Sequence, residues 1–295
     1  MERRTQIEAA DGSALEVVTD GPDDRDLVFL HLGTPSAAEL FAPHVEAGAE
    51  RCLQHVTYSR PGYGESTRRE GRVVADCAAD VAAIADAIGA ERFYVTGWSG
   101  GGPHVLATAA LLRGRVRAAS TMGGVAPLHA EGLDWLAGMG AENVEEFEAM
   151  EAGPEALEAY LTREAKKMAA VTEEDVSGSL GDLVSAADHA ALTGAYGPYA
   201  VAGIRGAVSS GIWGWFDDDL ELMGDWGFEL GAIAVPVTIW QGAEDRFVPR
   251  SHGEWLAANV PGARHEERAG EGHLSIKLSE YGNVLDDLVE RGRSG

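Results

Sequence analysis

Arg92-Phe93-Tyr94-Val95-Thr96-Gly97-Trp98-Ser99-Gly100-Gly101-Gly102-Pro103-His104-Val105 is the stretch whose reading decides the fold. Arg92–Thr96 is β-branched and aromatic and reads as a strand. After Gly100, the apolar positions Val105, Ala109 and Leu112 mark a helix that Gly114 closes. Between the two, Gly97-Trp98-Ser99-Gly100-Gly101 matches G-x-S-x-G. A nucleophile at such a junction needs a sharp, strained turn, and flanking glycines let backbone segments touch without a Cβ clash. That turn would lift the Ser99 hydroxyl above the sheet edge and set the Gly100 N–H at the positive end of the helix, ready to hold an oxyanion. A glycine-rich turn needed only for packing has the same local pattern. A phosphate loop would end in Gly-Lys-Ser/Thr, and this stretch does not.

Outward from this junction, two hydrophobic periods alternate. Residues 5–20 read as a hairpin around Asp11-Gly12. Leu27–Leu32 and Cys52–Tyr58 are continuous apolar runs, the pattern of strands covered on both faces. Ser36–Ala49 reads as a helix. Val73, Cys77, Val81, Ile84 and Ile88 repeat on one helix face up to Gly89, and Val116–Met122 is a further strand. The rhythm resumes at Val235–Trp240 (strand), Ser251–Ala258 (helix) and Ala263–Glu267 (strand). A terminal helix is striped by Leu274, Leu278, Tyr281, Leu285 and Leu288. This alternation predicts an α/β fold with a mostly parallel central sheet and helices on both faces.

From Val125 to about Trp226 the rhythm is lost. A block of about 100 residues is too long for a loop, so it reads as an inserted helical cap over 126–225. The core is then expected in two segments, 1–125 and 226–295. Residues 141–175 hold 11 acidic and 3 basic side chains, as expected of a solvated helical face. The adjacent acids Asp217, Asp218 and Asp219 likewise read as solvent-facing or as a helix start.

The whole chain of 295 residues carries 23 Lys+Arg against 48 Asp+Glu, a formal net charge of −25. Such a field repels nucleic acid and anionic membrane surfaces, leaving a small molecule as the expected partner. The first residues lack the apolar segment of a secretory signal, and no apolar run approaches the roughly 18 residues of a transmembrane helix. Cys52 and Cys77 read as reduced, buried thiols of a cytoplasmic protein. Cys52 and His55 lack a second pair to complete a tetrahedral metal set, and no G-x-G-x-x-G with an acidic partner appears, so neither metal nor cofactor is expected. Trp135 suits a homodimer contact and a pocket rim equally well.

A nucleophilic serine needs a base. Of nine histidines, His31 and His55 belong to strands and His265 to the predicted last strand. His44, His129, His189 and His252 have nothing near in sequence to orient them, and His104 lies on the helix after Ser99, away from the apex of the turn. His273 differs: Gly270-Glu271-Gly272-His273 is a loop at the carboxyl end of a strand, where sites of parallel sheets converge. The carboxylate that fixes such a base is sought in Gln241-Gly242-Ala243-Glu244-Asp245-Arg246-Phe247-Val248-Pro249, which leaves the preceding strand with Glu244 and Asp245 as candidates, and Asp217, Asp218 and Asp219 are a competing cluster. A second oxyanion donor belongs in the loop His31-Leu32-Gly33-Thr34-Pro35, where Gly33 and Pro35 would aim the Thr34 N–H into the site. An ordinary Gly-Pro turn is the plainer reading of that loop.

Together these motifs resemble the α/β-hydrolase superfamily along nearly the whole chain. Ser59-Arg60-Pro61-Gly62-Tyr63-Gly64-Glu65-Ser66 looks like its R-P-G-x-G-x-S loop, which supports the fold. The G-x-x-D-x-x-V-P segment selects Asp245 over Glu244, and the order Ser99, Asp245, His273 is the family's order. The resemblance implies a serine hydrolase with a mobile lid. His273 would activate Ser99, Asp245 would steady His273, and Thr34 and Gly100 would hold the oxyanion. Trp98, Trp213, Trp215 and Phe216 would line the pocket. A serine at position 99, where haloalkane dehalogenases and epoxide hydrolases carry aspartate, argues against those chemistries, and the G-G-S-W-G-S elbow of proline iminopeptidases is absent. The expected substrate is a partly apolar carboxylic ester or lactone. An amidase, a perhydrolase, a biosynthetic bond-cleaving enzyme on the same triad, and a receptor-like ligand binder are the alternatives.

Overall fold

A computed structural model describes residues 2–21, 24–194 and 196–293. The chain opens with β1 (Arg3–Glu8) and β2 (Ala14–Asp20), an antiparallel hairpin in which Asp11 accepts bonds from the Ser13 amide and hydroxyl and Gly12 takes φ +82°. It continues through β3 (Asp26–His31), α1 (Ala42–Glu50), β4 (Leu53–Tyr58), α2 (Cys77–Ile88), β5 (Phe93–Trp98), α3 (Gly101–Leu111) and β6 (Val116–Met122). Six helices follow: α4 (Ala141–Glu151), α5 (Pro154–Ala170), α6 (Val176–Ser179), α7 (Ala186–Leu192), α8 (Tyr196–Ala207) and α9 (Trp213–Met223). The chain ends with β7 (Val237–Gly242), α10 (Arg250–Asn259), β8 (Arg264–Arg268), α11 (His273–Ser279) and α12 (Tyr281–Arg293).

Eight strands form one sheet in the order β1-β2-β4-β3-β5-β6-β7-β8, parallel from β4 onward. The continuous apolar runs are what this geometry requires, because both faces are covered. On one face Phe29, Val95, Ala119 and Ile239 pack with Val105, Val81 and Leu256. On the other, Val28, Tyr94 and Met122 pack with Tyr281, Leu285 and Leu288 of α12. The order reverses between β3 and β5, and Ser99 follows the carboxyl end of β5. An open α/β sheet places its ligand crevice at such a reversal.

Several local readings are corrected. The helix expected from Ser36 starts only at Ala42, where Pro43 occupies the first turn and needs no amide partner. The single terminal helix is two, α11 and α12, separated at Glu280. Cys52 is exposed and lies just before β4 with φ +58°, whereas Cys77 is buried as expected. No helix among the described residues is long and apolar enough to cross a membrane.

Candidate active site

Ser99 occupies the apex between β5 and α3 with φ +56°, one of two non-glycine residues among those described with a positive φ. The turn is pinned on both sides. The Ser99 amide donates to the Met122 carbonyl at 3.0 Å, and the Ser99 carbonyl accepts from Gly102 at 2.8 Å. Glycine is required around it: a Cβ at Gly97 would press on the Gly101 and His31 carbonyls, and one at Gly102 on the Gly124 backbone. A Cβ at Gly100 would meet Thr34 Oγ1 at 2.6 Å and the Thr34 nitrogen at 3.2 Å, so the two amides proposed as a pair are close neighbours. Neither amide has an acceptor among the described residues.

The predicted base and acid are in contact. His273 Nδ1 donates to Asp245 Oδ2 at 2.7 Å, with both side chains buried. Asp245 Oδ1 also accepts from the Phe247 and Val248 amides at 2.9 and 2.8 Å. Burial nevertheless pushes the Asp245 carboxyl up, against the opposing influence of His273. With Nδ1 engaged, His273 Nε2 is buried and has no partner among the described residues. The ring lies between Phe247, stacked at 4.7 Å, and Trp98, tilted at 4.8 Å. Gly123, with φ +53°, passes beside the pair, and a Cβ there would come within 3.0 Å of both Asp245 Oδ2 and His273 Nδ1.

Two sets of residues that sequence reasoning missed hold these parts in place. The first is Asp188 on α7. Its carboxylate accepts from the amides of His273 (3.1 Å), Leu274 (2.7 Å) and Ser275 (2.8 Å), capping α11 from another element. Gly272 permits this approach, because a Cβ would collide with the Asp188 and Ser185 side chains.

The second set overturns the reading of Asp217, Asp218 and Asp219 as solvent-facing: all three are buried on α9. Asp218 pairs with Arg60 and Arg72, accepts from Tyr63 at 2.9 Å and accepts the Thr34 hydroxyl at 2.6 Å. Arg60 in turn donates to the Leu32 and Gly33 carbonyls, so the expected fold loop also fixes the Thr34 loop. The two guanidiniums hold the Asp218 carboxyl well below the usual range, overriding its burial. Asp217 pairs with Arg68. His104 is also more engaged than its helix position suggested, bridging the Gly100 carbonyl (2.9 Å) and Glu221 (2.8 Å). His104, Asp218 and Glu221 offer ligand atoms within 4.8 Å of one another, the one such metal-like group among the described residues. The positive charge these carboxylates attract is supplied by Arg60 and Arg72.

Two cavities share Thr34 and Phe247 as wall residues, and Ser99 lines the first. The first, about 120 Å³, takes in Ser99, Gly100, Trp135, Asn143, Glu146 and Asp219. The second, about 170 Å³, is mostly apolar and includes Trp98, Tyr196, Tyr199, Leu274 and Lys277. Of the expected pocket residues, Trp98 lines the second. Trp213, Trp215 and Phe216 line neither: Trp213 lies at the surface under the Arg68 guanidinium, and Trp215 and Phe216 are packed with Tyr63, Leu157 and Leu161. Trp135, ambiguous in sequence, is on a cavity wall, with Nε1 donating to the Ala126 carbonyl at 2.8 Å.

In the first cavity, Asp219 and Glu146 form a carboxyl pair: burial pushes Glu146 up to about 7 against the hydrogen bonds it accepts, and burial with the neighbouring Glu146 carboxyl raises Asp219. Trp215 Nε1 donates to Glu146 at 2.6 Å.

A family model described as the alpha/beta hydrolase fold matches residues 27–279. No curated protein sequence matches significantly. Among solved structures, the chain is similar to an enol-lactonase from Burkholderia xenovorans LB400, with a TM-score of 0.68 and 19% identity over 97% of this chain and 100% of that one. It is similar to a bromoperoxidase from Bacillus anthracis, with a TM-score of 0.71 and 18% identity over 98% and 100%. A thermophilic esterase from Thermogutta terrifontis gives 0.66 and 17% over 99% and 98%. At these identities the likeness concerns the fold.

Proposed function

That the chain belongs to the alpha/beta hydrolase fold family is the premise from which we propose a serine hydrolase that cleaves a small to medium, partly apolar carboxylic ester or lactone through an acyl-enzyme on Ser99. One observation carries this reading: a buried His273–Asp245 pair at 2.7 Å leaves Nε2 as the free ring nitrogen, on a histidine that stacks with a wall residue of the Ser99 cavity. The Asp245 bond places the proton on Nδ1 and makes Nε2 the base. Ser99 Oγ is not hydrogen-bonded to Nε2, and in this reading the contact forms as Ser99 turns toward the ring with substrate bound.

Attack by Oγ on the carbonyl carbon then passes the serine proton to Nε2. The oxygen that gains charge is received by the Thr34 and Gly100 amides, which have no other acceptor among the described residues. Collapse returns the proton to the departing alcohol oxygen, and water repeats the cycle on the acyl-enzyme. Residues 126–225 act here as a cap, supplying Trp135, Asn143, Glu146 and Asp219 to the cavity wall. The names of the similar structures, an enol-lactonase and an esterase, agree with ester or lactone substrates.

The test is hydrolysis of a panel of p-nitrophenyl esters and lactones by the protein and its Ser99→Ala variant. A loss of about 10³-fold or more in kcat is expected, with a burst of p-nitrophenol from the unaltered protein alone. Equal rates for the two proteins would overturn the proposal.

A further inference from the structure

Lys277 is the least expected residue of the second cavity. It lies one helical turn after His273 on α11, so the two share a helix face. Its side chain is 8% exposed. Nζ donates to the Tyr196 hydroxyl at 2.6 Å and sits 3.8 Å from the centre of the Trp98 ring. Trp98 itself is tied to the site, donating from Nε1 to the His273 carbonyl at 2.9 Å.

No carboxylate among the described residues lies within ion-pair distance of this ammonium. Buried lysines without a counter-charge are rare, because a ring face offsets only a fraction of the desolvation of an ammonium. The carboxyl that acts on it electrostatically, Glu39, lines the same cavity and is itself pushed toward its neutral form by burial. Of the other titratable groups around it, burial raises Tyr196 and Tyr199 and keeps His44 neutral, while the Asp188 carboxylate, which acts on Tyr196, is already engaged by the amides at the start of α11. Tyr196 accepts from Lys277, which leaves its own hydroxyl proton to donate. Two donors thus stand together at the wall of an apolar cavity, with no carboxylate among the described residues at ion-pair distance from the ammonium.

We propose that the second cavity is an anion subsite, in which Lys277 and Tyr196 bind a carboxylate carried on one arm of the substrate. The inference rests on the serine-hydrolase reading for its placement beside the reacting carbonyl. One compact cation and one hydroxyl suit a monoanionic carboxylate, whereas a dianionic phosphate needs more donors than this wall presents. The apolar lining suits the methylene chain between carboxylate and ester. Burial draws the Lys277 ammonium down to about 7, and a bound carboxylate would favour the charged form. Anion binding should therefore be tighter near pH 6 than near pH 8.5.

Two measurements test this. In calorimetry near pH 6, hexanoate is expected to bind about 10-fold or more tightly than hexanamide. Lys277→Met should erase the difference, Lys277→Arg should keep part of it, and Glu39→Gln should increase it. In kinetics, the p-nitrophenyl half-ester of adipate is compared with p-nitrophenyl hexanoate, and 6-acetoxyhexanoate with its methyl ester. One anionic member should exceed its neutral partner about 10-fold or more in kcat/KM, and in Lys277→Met the ratio of anionic to neutral kcat/KM should fall to about 1. Equal binding of hexanoate and hexanamide, or a carboxylate preference that survives in Lys277→Met, would overturn the subsite. Loss of the serine-hydrolase reading would show differently, as ester turnover unaffected by Ser99→Ala, and hexanoate binding would still decide the subsite.

Discussion

Replacing Asp218 by asparagine removes one charge from the most heavily paired carboxylate in the site. Asp218 is fully buried and answers two guanidiniums, a phenol and the Thr34 hydroxyl. Arg72 would keep Glu221 as a partner, but Arg60 would be left with neutral oxygens alone, the Leu32 and Gly33 carbonyls and the Thr34 hydroxyl. Breaking a buried pair in this way costs about 3–5 kcal/mol, against a total of about 5–15 for a typical domain. At roughly 2 °C of Tm per kcal/mol, the expected fall is about 6–10 °C by calorimetry. The pH dependence has a definite sign. Because the Asp218 carboxyl is held below its ordinary value, its contribution is complete above pH about 4 and is lost only as pH falls further. The gap in Tm between the two proteins should thus hold from neutrality down to about pH 4 and close below it. The loop carrying Thr34 loses its anchor too, and kcat on an ester should fall about 10- to 100-fold with KM little changed. A Tm shift under about 2 °C together with unchanged kcat would refute the reasoning, since Arg60 would then have no need of its partner.

Three further outcomes are expected. Gly123→Ala drives a methyl group against His273 and Asp245 and should cut kcat by about 10²-fold or more in a stopped assay, while far-ultraviolet circular dichroism stays the same. Asp188→Ala uncaps three amides at the start of α11 and should cost about 1–2 kcal/mol in urea unfolding, with a larger proportional loss of kcat than of ester binding. The raised Asp219 and Glu146 carboxyls contribute stability that is complete below pH about 4 and is lost as pH rises, for Glu146 through about 7. Asp219→Asn should therefore raise Tm at pH about 8 and leave it nearly unchanged at pH about 4; an equal shift at both values would contradict the carboxyl pairing.

The sheet was legible in the sequence because its strands are local, continuous apolar runs, and burial on both faces leaves that mark. Ser99, Asp245 and His273 were legible because each stands in a loop at a strand's carboxyl end with a distinctive neighbourhood. Asp188 and Asp218 were not, because their partners are 85 and 158 residues away and nothing nearby signals them. Three consecutive aspartates look like a solvated helix start until Arg60, Arg68 and Arg72 fold back onto them. Every arginine concerned follows the R-P-G segment or begins it, so a basic cluster in a fold-defining loop was the available signal. Trp215 and Phe216 misled for a related reason: an aromatic pair on a helix fills a core or a pocket with the same letters, and here Tyr63 and Leu161 claim it.

The clamp from Asp188 makes the posture of His273 depend on a helix that lies outside the sheet. If the segment bearing α7 swings away to admit a substrate, the three amides at the start of α11 lose their acceptor, and His273, the base of the proposed mechanism, loses its footing. Admission and reactivity would then be mutually exclusive states of the same molecule.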